Sequence, residues 1–405
     1  MAVKTTNLRP VQKKKPAAAK KTASKNHLFV SRTAISERDY FDYNLLAVVI
    51  LLTCFGLIML YSSSAYEAIV ENNDDMVYFR KQAIISAAAL LLALIGSQID
   101  YHWLADFSLP IYVISTILLV ITKFVGREVN GAKRWLGTNS FSFQPAELAK
   151  IAVILLLPTL IVKMGYKLKG FKPVAVIIFF GAVSSFCTYY FTDNLSTAII
   201  ILGITVILVF IAHPKTAPFV IAACVGAVGV ALLVAWIITG DVSGGFRIAR
   251  IQVWLHPEDY ASSGGYQILQ ALYAIGNGGF FGKGLGNSTQ KLGSLPEAQN
   301  DMIFSIICEE LGLFGAALVI LLFVFLLYRL FFIAQNAPDL LGSLIVCGIF
   351  VHIALQVVLN IAVVTNLIPT TGITLPFISY GGTSILFLMA EMGLALGVSR
   401  QIKFK

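Results

Sequence analysis

Residues 276–312 read GNGGFFGKGLGNSTQKLGSLPEAQNDMIFSIICEELG, passing within one stretch from a glycine-rich polar segment into an unbroken apolar run. The run continues to about residue 327 and carries two adjacent acids, Glu309 and Glu310, with Asp301 at its mouth. A run of this length matches the roughly 20 residues that cross a bilayer. Carboxylates held at or inside such a run are costly and mark either function or a specific partner. Outward from it the rest of the chain is of the same kind: 57% of its 405 residues are hydrophobic and only 13% charged. That much apolar surface has no soluble hiding place, so the sequence predicts an all-α polytopic membrane protein.

Ten spans are predicted, near 45–62, 83–99, 109–124, 146–162, 173–190, 197–212, 219–239, 303–327, 342–364 and 383–399. Before them, residues 1–44 are rich in Lys, Ala, Ser and Thr, with lysine runs at 13–15 and 20–21, and are expected to be a disordered basic tail. The net charge of +9 is concentrated there rather than spread as a binding patch, which argues against a nucleic-acid partner. The excess of Lys and Arg on the tail, on the 163–172 and 215 loops and after the last span puts both termini in the cytoplasm. Residues 45–400 then form the transmembrane domain, with a long extracytoplasmic loop over 240–300 between the seventh and eighth spans, and 401–405 end the chain in the cytoplasm. In that loop, FRIARIQVWLHPEDY (246–260) suits a short interfacial helix, with Trp254 as an anchor. The uncharged TNLIPTTGITLPFISYGG (365–382) has two prolines and three glycines and predicts a broken or re-entrant element, buried in protein or lining a cavity. The five cysteines lie in apolar runs without a CxxC pair, and the five histidines show no metal-ligand spacing.

Several constellations could carry chemistry. The glycine run 276–286 fails both nucleotide-loop patterns, because Gly284 follows Lys283 and Phe281 occupies the last dinucleotide glycine position; it reads as a flexible approach to a ligand. Helical angles separate Asp301 from Glu309 and Glu310, leaving Asp301 at the water interface as the acid available for proton transfer. Its plain alternative is an acid at a helix start, favoured by the dipole. Glu309 and Glu310 read as structural or supporting. QPAELAK (144–150) puts Glu147 and Lys150 three residues apart on one face, as an ion pair or as the polar wall of a cavity. Lys133 and Arg134 precede Trp135 and suit a diphosphate or headgroup; Arg80 adds a cation beside the second span.

Taken together, YSSSAY (61–66), FRKQ (79–82), NGAKRWLG (130–137), FQPAELAK (143–150), residues 264–312 and GITLPFISYGGTS (372–384) resemble the SEDS family, the FtsW, RodA and SpoVE membrane proteins, most closely its FtsW and SpoVE branch. The resemblance runs in order from residue 45 to 400. It implies ten transmembrane helices and a glycosyltransferase that polymerises lipid II, an undecaprenyl-diphosphate-linked glycan, outside the membrane during cell division. Its partners would be a class B penicillin-binding protein and other divisome membrane proteins. The family's essential acid falls on Asp301, its functional Glu and Lys on Glu147 and Lys150, and its arginine on Arg80. No cofactor is required by the resemblance, though it leaves room for a divalent cation, Mg or Mn. Two motifs depart: QNDMIF (299–304) replaces the usual Thr and Phe around the acid, and DNLSTA (193–198) has Asn194 where an acid is usual. A lipid II transporter and a non-catalytic division scaffold are the competing readings.

Overall fold

Long apolar stretches without water can satisfy their backbone only within themselves, and this chain does so as helices. The computed structural model describes residues 40–129, 131–137, 142–239, 246–262 and 264–403, without the side chains of 129, 233, 237–239 and 246–248. The expected basic tail lies, for 1–39, outside the described residues. The helices are α1 (Tyr43–Asn72), α2 (Val77–Gly96), α3 (Tyr101–Asp106), α4 (Ser108–Val125), α5 (Pro145–Met164), α6 (Phe171–Thr192), α7 (Leu195–Ala212), α8 (Ala217–Thr239), α9 (Phe246–Leu255), α10 (Tyr266–Gly278), α11 (Ile303–Asn336), α12 (Leu340–Val364) and α13 (Ser384–Arg400). Among the described residues nine helices are long and apolar enough to cross a membrane. α13 coincides with the last expected span but has 17 residues and carries Glu391.

Successive spans run in opposite directions, which sorts the connections onto two faces. One face carries Tyr40 and Lys403, the first and last described residues. There Asp42 is wholly buried, accepts from Leu45 N at the start of α1 and pairs with Arg329 of α11 at 2.6 Å. His102 bridges Asp100 and Asp339 at 2.7 and 2.6 Å on the same face. The other, the loop face, carries a three-stranded antiparallel sheet of β1 (Arg127–Val129), β2 (Ala132–Gly137) and β3 (Ser142–Phe143), together with α9, α10 and residues 279–302. α5 is the innermost span, buried along most of its length and packed on α4, α6, α7 and α12. Between Val364 and Ser384 the chain forms no helix, as its prolines and glycines predict, and it re-enters the bundle, where Gln356 of α12 donates to Thr374 O at 3.0 Å and Gly56 of α1 packs against Phe377 and Ile378.

α11 is not continuous. Gly312 sits at φ 66°, ψ −162°, a region open essentially to glycine alone, and breaks the helix just after Glu310. The backbone groups freed at the break are met by residues 279–284. Lys283 N donates to Glu309 O at 2.9 Å and Gly284 N to Glu310 O at 2.9 Å, while Leu313 N donates to Gly279 O at 3.0 Å. The contact is backbone against backbone: a methyl on Gly278 would collide with Cys308 O, one on Gly282 with Glu310 O, and one on Gly312 with Phe280 O. Gly278 and Gly282 of the glycine run therefore splint a broken helix, a use that the expectation of a flexible approach to a ligand did not contain. Gly312→Ala is expected to lower the thermal transition of the detergent-solubilised protein by well over 10 °C or to abolish folded yield. Gly276→Ala, in the helical part of α10 with open space at its Cβ, should shift it by no more than a few degrees. Fluorescence-detected size exclusion after heating reads both.

Candidate active site

The site is assembled on the loop face where the turn before α11 meets α12 and the 365–383 segment. Asp301 lies one residue before the Met302 cap of α11, so its carboxylate stands outside the span. The residue is half-buried, but its Oδ1 is shut from solvent and has no hydrogen-bond partner. Desolvation, with Glu297 beside it, pushes its carboxyl up to about 7; a backbone hydrogen bond and Arg250 pull the other way without cancelling this. The carboxylate thus takes and releases a proton near neutrality, which suits a general base. Its plain alternative, a helix-start acid, predicts the reverse shift, because a dipole favours the charged form.

Arg250 faces Asp301, and Arg134 stands beside Arg250. Arg134 is the extra residue of a β-bulge: on β2, Lys133 faces Glu128 and Trp135 faces Arg127, leaving Arg134 between them. Bulges re-aim a side chain; here Arg134 reaches the α6–α7 corner and donates to Asp193 O at 2.9 Å, while its Nε is buried without a partner. Burial first, then the neighbouring guanidinium of Arg250, holds Arg134 below the ordinary arginine range. Arg250 of α9 donates to Thr370 O at 3.1 Å. Trp254, one turn on, donates to Asn366 O at 3.0 Å and so ties α9 to the 365–383 segment. Ser196 Oγ donates to Thr371 O at 2.5 Å and closes the ring from α7. Asn194, in place of an acid, caps α7 by accepting from Thr197 N at 3.0 Å.

The other residues picked out from sequence divide. Glu147 and Lys150 pair at 2.9 Å, as i,i+3 neighbours can, but the Lys150 side chain is only 2% exposed and lies beneath the site, donating also to Gln356 Oε1 at 3.3 Å. Lys133 is half-buried on β2. Arg80 is exposed and pairs with Asp74 at 3.2 Å in the α1–α2 corner; none of its described bonds joins it to the others. Glu309 and Glu310 are fully buried and belong to the splint. Glu309 is held by Lys283 Nζ at 2.6 Å, Thr289 Oγ1 at 2.9 Å and Ser288 Oγ; Glu310 by Lys291 Nζ at 2.7 Å and Ser62 Oγ at 2.7 Å. No bond of theirs is shared with Asp301. The sequence does not single out Arg250 as a site residue, nor Gln356 and Asn360 of α12, and it offers His352 only as one of five histidines without metal-ligand spacing. The last three recur every four residues in an apolar helix, a spacing visible in the sequence.

Residues 42–403 match the profile of a family described as cell cycle protein, that of FtsW, RodA and SpoVE. The chain belongs to this family. Among its FtsW, RodA and SpoVE relatives, stage V sporulation protein E of Bacillus subtilis is 38% identical over 369 residues, covering 90% of this chain and 98% of the relative. A probable peptidoglycan glycosyltransferase FtsW of Trichlorobacter lovleyi is 36% identical, covering 90% and 94%. Of solved structures, a chain from a peptidoglycan synthase complex that coordinates polymerisation and crosslinking superposes with a TM-score of 0.72 at 26% identity, covering 89% of this chain and 98% of that one. The rod shape determining protein RodA of Thermus thermophilus gives 0.64 at 25% identity, covering 90% and 98%.

The splint makes a prediction of its own. Removing Lys291 strands a wholly buried carboxylate, so Lys291→Ala should cost about 3–5 kcal/mol of stability. Lys291→Met combined with Glu310→Gln should recover much of it, and thermal unfolding in detergent compares the three proteins.

Proposed function

We propose that this chain is a peptidoglycan glycosyltransferase that polymerises lipid II into β-1,4-linked glycan strands during bacterial cell division. The observation that carries the reading is the carboxylate of Asp301, outside the span, desolvated and without a partner on one oxygen, facing the cation Arg250, which has Arg134 beside it. The names of the FtsW relatives supply the reaction class. Both termini lie in the cytoplasm and the loop face lies outside, following the Lys and Arg asymmetry of the connections. A class B penicillin-binding protein and other divisome membrane proteins are its partners, a reading favoured by the likeness to a chain of a synthase complex.

The donor is α-linked to undecaprenyl diphosphate, and the product bond is β, so the acceptor attacks from the opposite side. Asp301 accepts the proton of the acceptor GlcNAc 4-hydroxyl as its oxygen bonds to the donor's anomeric carbon. The bond from that carbon to the diphosphate breaks, and the diphosphate leaves with the electron pair. Its growing charge is met by Arg134 and Arg250, with Lys133 and Arg80 further out, in a site partly shielded from water. Lys150 acts from below, through the field of a buried ion pair with Glu147. Among the described residues no three His, Cys, Asp or Glu side chains converge to hold a metal. A divalent cation, Mg or Mn, would therefore take most of its oxygen ligands from diphosphate and water, and no step is routed through it.

Asp301→Asn should lower polymer formation from lipid II at least on the order of 10²-fold, measured with the purified protein and its class B partner in detergent. Undiminished polymer would overturn the assignment. Detergent also removes the second leaflet, so polymer made there excludes transport as the sole activity, and growth supported fully by Asp301→Asn would favour a scaffold. For the wild type, kcat/KM should rise roughly tenfold per pH unit on the acid side and level off above about 7, because the base acts only when ionised. A profile flat from pH 5 to 8 would argue against Asp301 as that base.

A further inference from the structure

α12 presents His352, Gln356 and Asn360 on one face at successive turns, each at most 5% exposed. Three polar side chains in an apolar helix need partners, and each has found them in a different element. Asn360 Nδ2 donates to Asp301 O at 2.8 Å and to Ile373 O at 2.7 Å. Two carbonyls can be met only by the amide nitrogen, which fixes the side chain's orientation and leaves Oδ1 buried without a partner. One turn below, Gln356 Nε2 donates to Thr374 O at 3.0 Å, so its Oε1 faces Lys150 Nζ at 3.3 Å and His352 Nε2 at 2.9 Å. An amide oxygen only accepts, so His352 Nε2 carries hydrogen. His352 Nδ1 lies 2.8 Å from Glu391 Oε2, and a proton must sit on that contact too. The His352–Glu391 pair is therefore neutral overall, whichever atom holds the proton, as burial inside the bundle demands.

The geometry points to Asn360 as the positioning residue of the site. It fastens the peptide that bears Asp301 to the peptide of Ile373, with Gln356, His352 and Glu391 holding the same helix face and Lys150 in register below. This inference rests on the reading of Asp301 as the base. The cap residue of α11, Met302, makes no side-chain bond, so the turn that bears Asp301 is held by bonds to its backbone, Asn360 Nδ2 to Asp301 O and Tyr380 N to Gln299 O at 2.9 Å among them. The Asn360 grip also draws the 372–373 backbone over the carboxylate: a Cβ on Gly372 would stand 3.9 Å from Asp301 Oδ2. Losing the amide would free the Asp301 carbonyl from the Ile373 peptide and let water reach the carboxylate, with the bond from Tyr380 N to Gln299 O left to join the two segments. The charged groups facing Asp301, Glu297 and Arg250, oppose each other and would remain.

The test is lipid II polymerisation by the full chain with its class B partner, comparing wild type, Asn360→Ala, Asn360→Ser and Asp301→Asn. Asn360→Ala should lower kcat on the order of 10²-fold, with KM for lipid II within about twofold, since the reacting group is misplaced rather than the substrate lost. The acid limb of its pH profile should move down by about one unit as the carboxylate hydrates. Asn360→Ser, which keeps one donor, should fall between on both measures, and it carries the test if the alanine protein does not fold. A purely structural role would lower thermal stability and active fraction while leaving the limb where it was; that result, or an unchanged kcat, overturns the inference. Asp301→Asn separates the two levels. If it polymerises normally, the base assignment itself fails; if it is inactive while the Asn360 variants match wild type, only the role of Asn360 falls.

Discussion

Two carboxylates at a break in a transmembrane helix set the terms for this molecule. Glu309 and Glu310 are buried beside Gly312, whose backbone is not helical, so both their charge and the loose backbone there need partners from elsewhere. Residues 279–291 supply both at once: main-chain groups of 279–284 close the break, and Lys283 and Lys291 neutralise the acids. An uncompensated buried charge costs several kcal/mol, so this segment is tied tightly to the bundle. The short turn that follows, ending at Asp301, is therefore anchored at both ends. A reactive carboxylate held with one unpartnered oxygen is tolerable only on such a footing.

The same logic extends inward. The bundle admits polar groups where they meet a complementary partner: Glu147 with Lys150, Asp42 with Arg329, and His352 with Glu391. Two of these sets converge on α12, which makes it the reference element for the chemistry. From it the backbone of Asp301, the 373–374 segment and the Lys150 ammonium are all gripped within two turns.

Much of this was legible in the sequence where the physics is local. Apolar runs announce spans, the 365–382 composition announces broken backbone, and an i,i+3 acid and base in QPAELAK announce their pairing. Helical angles alone separated Asp301 from Glu309 and Glu310. What could not be read is what depends on distant segments meeting. Lys283 and Glu309 are 26 positions apart, and nothing in either neighbourhood names the other. The glycines suggested freedom because glycine is most often permissive, whereas here they permit backbone to touch backbone. Lys133 and Arg134 are adjacent in sequence, but a bulge gives Arg134 its own aim. The stripe at 352, 356 and 360 was visible as a spacing; its meaning appears only with its partners.

The order of the chain has a bearing on how such a protein enters a bilayer. Each side-chain partner of Glu309 and Glu310, from Ser62 to Lys291, precedes them in sequence and so leaves the ribosome first. When α11 arrives, its neutralising groups already exist, and the carboxylates need not wait unshielded in lipid. Lys150 solves the problem differently, arriving with Glu147 three residues ahead on its own helix, while Gln356 joins much later. Read this way, the glycine segment before α11 is a receptor built in advance for the helix that follows it, and membrane insertion of that helix is a binding event within one chain.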